Sequence, residues 1–278
     1  MAIQSDEFQF IRETLLDISG MAIPENKVYL VENRLAQLLS SQGGGSYYDL
    51  FRRARQNPGS PLCEEIIDLM STNETLWFRD QHPFLIFKER LLPTYLQEIK
   101  DGQRTKIRIW SAACSTGQEP YSLAMIIQDA MAENPFFTPE MVEIKASDIS
   151  KTCLRSATSG LYDKVAIGRG LSDGYRNRYF TNTGKYWQVV DPVKNLVRFT
   201  RFNLQNDFGR LGKFDIIFCR NVAIYFSKQF KIELFAKFAA ILKPGGVFIL
   251  GGSESLSGYN SEFEIVQHGR GFFYRLER

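Results

Sequence analysis

Three polar side chains stand where apolar runs end. Glu119 follows the run at 106–110 after a short turn, Asp148 closes the run at 142–146, and Asn221 comes two residues after the run at 214–219 begins to close. Carboxylates and amides at strand ends can accept hydrogen bonds from amino and hydroxyl groups of a bound ligand. The turn Ser111-Ala112-Ala113-Cys114-Ser115-Thr116-Gly117 has small side chains that permit close backbone approach, yet Gly117 is its only glycine. It is therefore no GxGxxG phosphate cradle, and a pyrophosphate ligand is disfavoured. S-adenosylmethionine has no pyrophosphate, and such a loop need only pass its ribose and amino-acid portion. On this reading Glu119 faces the ligand's α-amino or sulfonium-side charge and Asp148 its ribose hydroxyls. Asn203 faces the adenine edge, and Asn221 the amino-acid end. Each position also has a plain structural reading. Glu119 suits the first turn of a helix, Asp148 an N-cap, and the asparagines turns.

The elements that must position these residues alternate. Short apolar runs at 106–110, 142–146, 214–219 and 246–250 are separated by helical patterns at 120–132, 151–159 and 229–242. That alternation predicts a doubly wound, Rossmann-like α/β sheet, in which ligands sit outside the carboxyl ends of the strands. The first third differs. Phe8, Ile11, Leu15 and Ile18, and then Val28, Val31, Leu35 and Leu38, fall at helical spacing, with further helices over 47–56 and 61–71. These stripes predict a small helical bundle. The stretch 160–200 is rich in Gly, Asn, Asp and Tyr and carries β-prone runs at 186–190 and 196–200, which predicts a small antiparallel insertion.

Composition narrows the function classes. The chain has 278 residues, 44% hydrophobic, with a net charge of +3, enough for a sizeable core and too weakly basic for a dedicated nucleic-acid binder. Cys63, Cys114, Cys153 and Cys219 form no CxxC pair and read as buried or incidental thiols, with no metal site expected. The amino-terminal stretch lacks an apolar signal core, and no apolar run approaches a membrane span, so a cytoplasmic protein is expected. His82 and His268 read as structural or surface residues.

Five ordered segments carry a family resemblance: 71–79 (STNETLWFR), 109–122 (IWSAACSTGQEPYS), 146–149 (ASDI), 218–226 (FCRNVAIYF) and 242–246 (LKPGG). With them the chain resembles the CheR-type chemotaxis receptor glutamate methyltransferases over essentially its whole length. The resemblance implies a helical domain at 1–72 and a methyltransferase domain at 73–278 that carries the insertion at about 160–200. It implies S-adenosylmethionine as cofactor, S-adenosylhomocysteine as product, and cofactor contacts from Asn73, Thr75, Arg79, Glu119, Asp148, Asn203, Leu204, Asn221 and Val222. Arg79 is suited to align the acceptor carboxylate through a bidentate pair, and Tyr225 to complete the acceptor pocket through its hydroxyl.

The expected partner is the cytoplasmic helical domain of a chemoreceptor. The family's basic docking helix is thinned here to Arg34, with Arg52, Arg53 and Arg55 on the next helix able to compensate. The insertion's turn at 182–187 looks too compact for a receptor tethering peptide, so tether independence is expected. Two rivals remain at this point: a nucleic-acid methyltransferase, and a non-catalytic module that binds S-adenosylmethionine or a nucleotide. The segment Arg220-Asn221-Val222-Ala223 lacks the Pro-Pro-aromatic turn of many base-methylating enzymes, which weighs against the first. No membrane insertion is expected.

Overall fold

A computed structural model describes residues 3–277. Four helices open the chain: α1 (Ser5–Ser19), α2 (Val28–Ser41), α3 (Tyr47–Gln56) and α4 (Pro61–Met70). The apolar stripes read from the sequence meet here, with Ile11, Leu15, Val31, Leu35, Phe51 and Ile66 in one buried cluster. Side-chain caps set two of the starts. Ser46 accepts the Asp49 N–H and Ser60 the Cys63 N–H, with Pro61 in the first turn of α4. After α2, Gly43, Gly44 and Gly45 all adopt positive φ, so the helix cannot continue.

A coil at 72–76 leads to α5 (His82–Ile86), one π-helical turn (Phe87–Leu91) and α6 (Leu92–Lys100). Strands and helices then alternate as β1 (Ile107–Ala112), α7 (Gln118–Glu133), β2 (Val142–Asp148) and α8 (Lys151–Ser159). The insertion contributes β3 (Leu161–Tyr162), α9 (Lys164–Ile167), α10 (Asp173–Tyr179), β4 (Phe180–Asn182), β5 (Trp187–Val189) and α11 (Asp191–Lys194). The chain returns to the main sheet with β6 (Val197–Arg201), β7 (Phe214–Phe218), α12 (Lys228–Ile241), β8 (Leu242–Ile249), β9 (Phe263–His268) and β10 (Gly271–Leu276).

The seven-stranded sheet has the order β6-β2-β1-β7-β8-β10-β9. Its first five strands are parallel, and β10 runs antiparallel to both β8 and β9. The chain winds outward from β1 through β2 to β6, returns to β7 beside β1, and winds the other way. The strand order therefore reverses between β1 and β7, and a crevice opens at their carboxyl ends. β7 is buried throughout, as a central parallel strand covered on both faces must be.

One sequence expectation shifts. The β-prone run at 196–200 does not belong to the insertion: β6 pairs in parallel with β2, Ala146 opposite Phe199, in the main sheet. The insertion's own sheet is β3-β5-β4, all antiparallel. A short apolar run states strand propensity but not its partner, so the local pattern was silent on this choice. The β9–β10 pair and the helical stretch from His82 were also not anticipated. Pro83 and Pro93 interrupt the pattern of that stretch, although both sit in first turns where proline is tolerated.

Candidate active site

A cleft lies at the carboxyl ends of β1, β2 and β7. Asn73, Thr75, Arg79, Glu119, Asp148, Asn203, Leu204, Asn221, Val222 and Tyr225 all line it. Residues far apart in the chain thus meet at the one place where the topology predicts a ligand. Ser19 at the end of α1 and Met21 just beyond it form part of the same wall, so the helical bundle closes one side.

The loop after β1 is shaped by backbone that few residues adopt. Ala113 and Ser115 have φ of 58° and 50°, and Gly117 has φ of 94°. Asp148 holds this loop, its Oδ2 accepting the Ser115 N–H at 2.8 Å and its Oδ1 the Ser150 N–H at 2.9 Å. Each carboxylate oxygen has two lone pairs, so acceptor capacity remains for ligand hydroxyls. Burial pushes the Asp148 carboxyl above the usual range, opposed by these backbone hydrogen bonds. Asp148 is not the cap of α8; Ser150 takes that place by accepting the Cys153 N–H.

Glu119 lies in the first turn of α7 with both oxygens engaged. Oε1 accepts the Ser111 hydroxyl at 2.8 Å, and Oε2 accepts Arg220 Nη1 at 2.9 Å. Arg220 belongs to a segment singled out in the sequence, yet it was given no role. Its side chain is 2% exposed, and Nη2 donates to the Arg79 carbonyl at 2.7 Å and to Asp80 Oδ2 at 2.8 Å. One guanidinium thereby ties the cofactor-side acid to the segment that carries Arg79. The available signal was a cation placed two residues after a wholly buried strand.

Among the described residues six non-glycine positions have positive φ: Phe78, Asp80, Gln81, Ala113, Ser115 and Asn221. Ala113, Ser115 and Asn221 line the cleft, and Phe78, Asp80 and Gln81 stand within two residues of Arg79, which also lines it. Such conformations cost about 1–3 kcal/mol each and persist only where surrounding contacts fix them. The segment before Asp80 is pinned by Trp77, fully buried, whose Nε1 donates to the Ala166 carbonyl at 3.0 Å. Trp77 also packs edge-on against Tyr162 and Phe180 of the insertion.

Arg79 Nη1 donates to the Glu74 carbonyl at 2.7 Å, and the rest of its guanidinium has no partner among the described residues. The Tyr225 hydroxyl likewise has no partner among them, while the Tyr225 carbonyl accepts the Ala22 N–H at 2.8 Å. Asn203 reaches the cleft wall, and its amide also has protein partners. Nδ2 donates to the Ile18 carbonyl at 3.0 Å and Oδ1 accepts the Gln205 N–H at 3.0 Å. Its side chain thus joins the helical bundle to the sheet, with acceptor capacity left on Oδ1.

The four candidate docking arginines differ in their contacts. Arg34 Nη1 donates to the Met70 carbonyl at 2.6 Å and Nη2 to the Thr72 hydroxyl at 3.2 Å, so it secures the end of α4. Arg55 pairs with Asp17 at 2.5 Å and lies over the Phe10 ring. Arg52 and Arg53 are exposed, with single contacts to Asp49 and Gln42 at 3.3 Å each. All four cysteines are buried. Among the described residues no helix is long and apolar enough to cross a membrane.

The strand order with its antiparallel β10, the switch-point cleft, its two acids and its lack of a glycine-rich cradle define a Rossmann-like S-adenosylmethionine-dependent methyltransferase. Residues 73–272 match the family model described as CheR methyltransferase, SAM binding domain, and residues 6–71 match CheR methyltransferase, all-alpha domain. The chain belongs to the CheR methyltransferase family. It is 42% identical to the chemotaxis protein methyltransferase Cher2 of Pseudomonas putida, over 98% of each chain. It is 42% identical to chemotaxis protein methyltransferase 1 of Pseudomonas aeruginosa, over 100% of each. It is 32% identical to the chemotaxis protein methyltransferase of Borreliella burgdorferi, over 95% of this chain and 93% of that one.

The residues present fit the cofactor. Asn221 Oδ1 is a buried acceptor with no protein donor, on the rim of a cleft that also presents Asp148 and Glu119. An ammonium and ribose hydroxyls are the donors such a set takes.

Proposed function

We propose that this enzyme methylates glutamate side chains on the cytoplasmic helical domain of chemotaxis receptors, giving methyl esters for sensory adaptation. The names of its relatives as chemotaxis protein methyltransferases support the setting. The single observation that carries the acceptor assignment is the cleft's lack of a free base. Its lining has no histidine or lysine, Glu119 is paired with Arg220 and Glu74 with Arg169, and Asp148 is held by two backbone donors. The Cys114 thiol is fully buried, and burial pushes its pKa well up. An amine or hydroxyl acceptor needs a proton removed. A glutamate side chain, with an unperturbed pKa of ~4.3, is already ionised at neutral pH.

When bound, the cofactor supplies an electrophilic methyl carbon on a sulfonium. The chain's residues do the remaining work by position. Asp148, Asn221, Asn73, Thr75, Leu204 and Val222 hold the adenosyl and amino-acid portions, with Glu119 adding negative charge beside them. Arg79 directs its unpartnered N–H groups at the acceptor carboxylate, and Tyr225 completes that pocket with its hydroxyl. Near-attack alignment of two reactants can contribute about 7–11 kcal/mol. Closing the cleft against the receptor helix also replaces the acceptor's water with fixed dipoles.

Arg52 and Arg53 are the docking cations with free reach, and Arg34 and Arg55 act through their internal partners. The turn between β4 and β5, closed by the Thr183 N–H on the Tyr186 carbonyl at 2.9 Å, supports a tether-independent enzyme. We take 1–72 as the docking domain, 73–278 as the catalytic one, and the cytoplasm as the location. A nucleic-acid acceptor and a non-catalytic role are not favoured by membership of this family. Incubation with radiolabelled cofactor and a receptor cytoplasmic fragment tests the reading: label should enter the receptor and leave in mild base. Label stable to base, or none transferred by folded enzyme, would reject it.

A further inference from the structure

Glu254 lies beyond β8, outside the cleft lining, and is 7% exposed. No cation pairs with it among the described residues. Its Oε2 instead accepts the Asn221 N–H at 2.6 Å and the Gly251 N–H at 2.8 Å. Its own N–H donates to the Gly251 carbonyl at 2.9 Å, closing a tight turn at the end of β8. A buried carboxylate held only by backbone donors is costly, and so its retention calls for a task.

The task is visible in what it holds. Asn221 stands at φ 58°, a left-handed conformation that asparagine adopts more readily than most residues, and the Glu254 carboxylate fixes it there through the Asn221 N–H. The packing around it leaves no spare room. A Cβ at Gly251 would meet Asn221 Nδ2 at 2.7 Å and Glu254 Oε2 at 2.8 Å. Asn221 lines the cleft, whereas Glu254 and Gly251 do not.

We infer that Glu254 is a positioning residue for the methyl transfer: it clamps the left-handed turn that presents Asn221 to the cofactor and so sets cofactor affinity. The inference rests on Asn221 being a cofactor contact. Glu254→Ala leaves two buried N–H groups without their acceptor, and the turn is released. Glu254→Gln keeps an oxygen acceptor in place. Gly251→Ala attacks the same clamp from its other side.

The test is calorimetric binding of S-adenosylhomocysteine to the full-length variants, beside thermal unfolding and turnover at saturating cofactor. Glu254→Ala and Gly251→Ala should each weaken binding by about ten- to a hundredfold. Glu254→Gln should stay within a few fold of wild type, and saturated turnover should remain close to wild type in every folded variant. If Glu254→Ala fails to fold, Gly251→Ala and Glu254→Gln still decide the matter. Wild-type affinity in folded Glu254→Ala or Gly251→Ala, or loss of stability with affinity unchanged, overturns the inference. Asn221→Ala separates the two layers. If it binds cofactor normally, the contact itself is wrong and the clamp falls with it. If it binds weakly while Glu254→Ala binds normally, only the clamp is wrong.

Discussion

Arg220 and Glu119 form a salt bridge at 2.9 Å, with side chains only 2% and 12% exposed. The pair joins the end of β7 to the first turn of α7, across the point where the strand order reverses. Because the same guanidinium donates to the Arg79 carbonyl, cofactor-side and acceptor-side residues share one anchor.

Breaking that anchor should be expensive. Arg220→Met leaves Glu119 without its counter-ion and the Arg79 carbonyl without its donor. Loss of one partner from a buried pair typically destabilises by about 3–5 kcal/mol. Urea unfolding should show a loss of that size, and Arg220→Lys should not restore it, since one ammonium cannot reproduce the guanidinium fork. A midpoint within error of wild type would show the pair to be idle.

Arg79→Ala is expected to split binding from chemistry. The variant should bind S-adenosylhomocysteine within a few fold of wild type, because Glu119, Asp148 and Asn221 stay in place. Turnover on receptor should fall about a hundredfold or more, the scale of losing a group that orients and stabilises the reacting charge. Single-turnover methylation with saturating cofactor checks this, and unchanged turnover would remove Arg79 from the acceptor site.

Asp148 gives a pH signature of unusual sign. Burial raises its carboxyl above the unfolded value, so the folded state keeps a proton that the unfolded chain has released. Its contribution to stability is fully present below the ordinary Asp range. It is lost as pH rises through the raised native value, the reverse of a salt-bridged aspartate. Denaturation across the acid range should show this slope in wild type and not in Asp148→Ala. Cofactor affinity should move oppositely, weakening as acid neutralises the acceptor.

The docking arginines should separate by role. Arg52→Glu and Arg53→Glu should slow receptor methylation several-fold at low salt, with the defect shrinking as ionic strength rises, and leave stability within about 0.5 kcal/mol. Arg34→Glu should instead lower the thermal midpoint, because the Met70 and Ser71 carbonyls lose their donor. Equal effects of all four on methylation alone would point to one continuous basic face.

What was legible in the sequence follows from what local pattern can encode. The helical stripes and the strand–turn–acid succession state their burial and their position in the alternation directly, so Glu119, Asp148 and Asn221 were readable as strand-end residues. The partner of a strand is not a local property, and the run at 196–200 was therefore assigned to the wrong sheet. Roles that depend on a second residue were hidden in the same way. Arg220 gains meaning only from Glu119 and Asp80, Asn203 only from the Ile18 carbonyl, and Glu254 only from the backbone of Asn221. Asn73, Thr75 and Arg79 were reached through resemblance, since a coil between two domains carries no periodicity.

The most direct measurement is transfer of labelled methyl from S-adenosylmethionine to a chemoreceptor cytoplasmic fragment, followed by mild alkali and by mapping of the modified peptide. Label should reside on glutamate, leave as methanol in base, and disappear in Arg79→Ala. Label on a nitrogen, on nucleic acid, or in a base-stable form would contradict it.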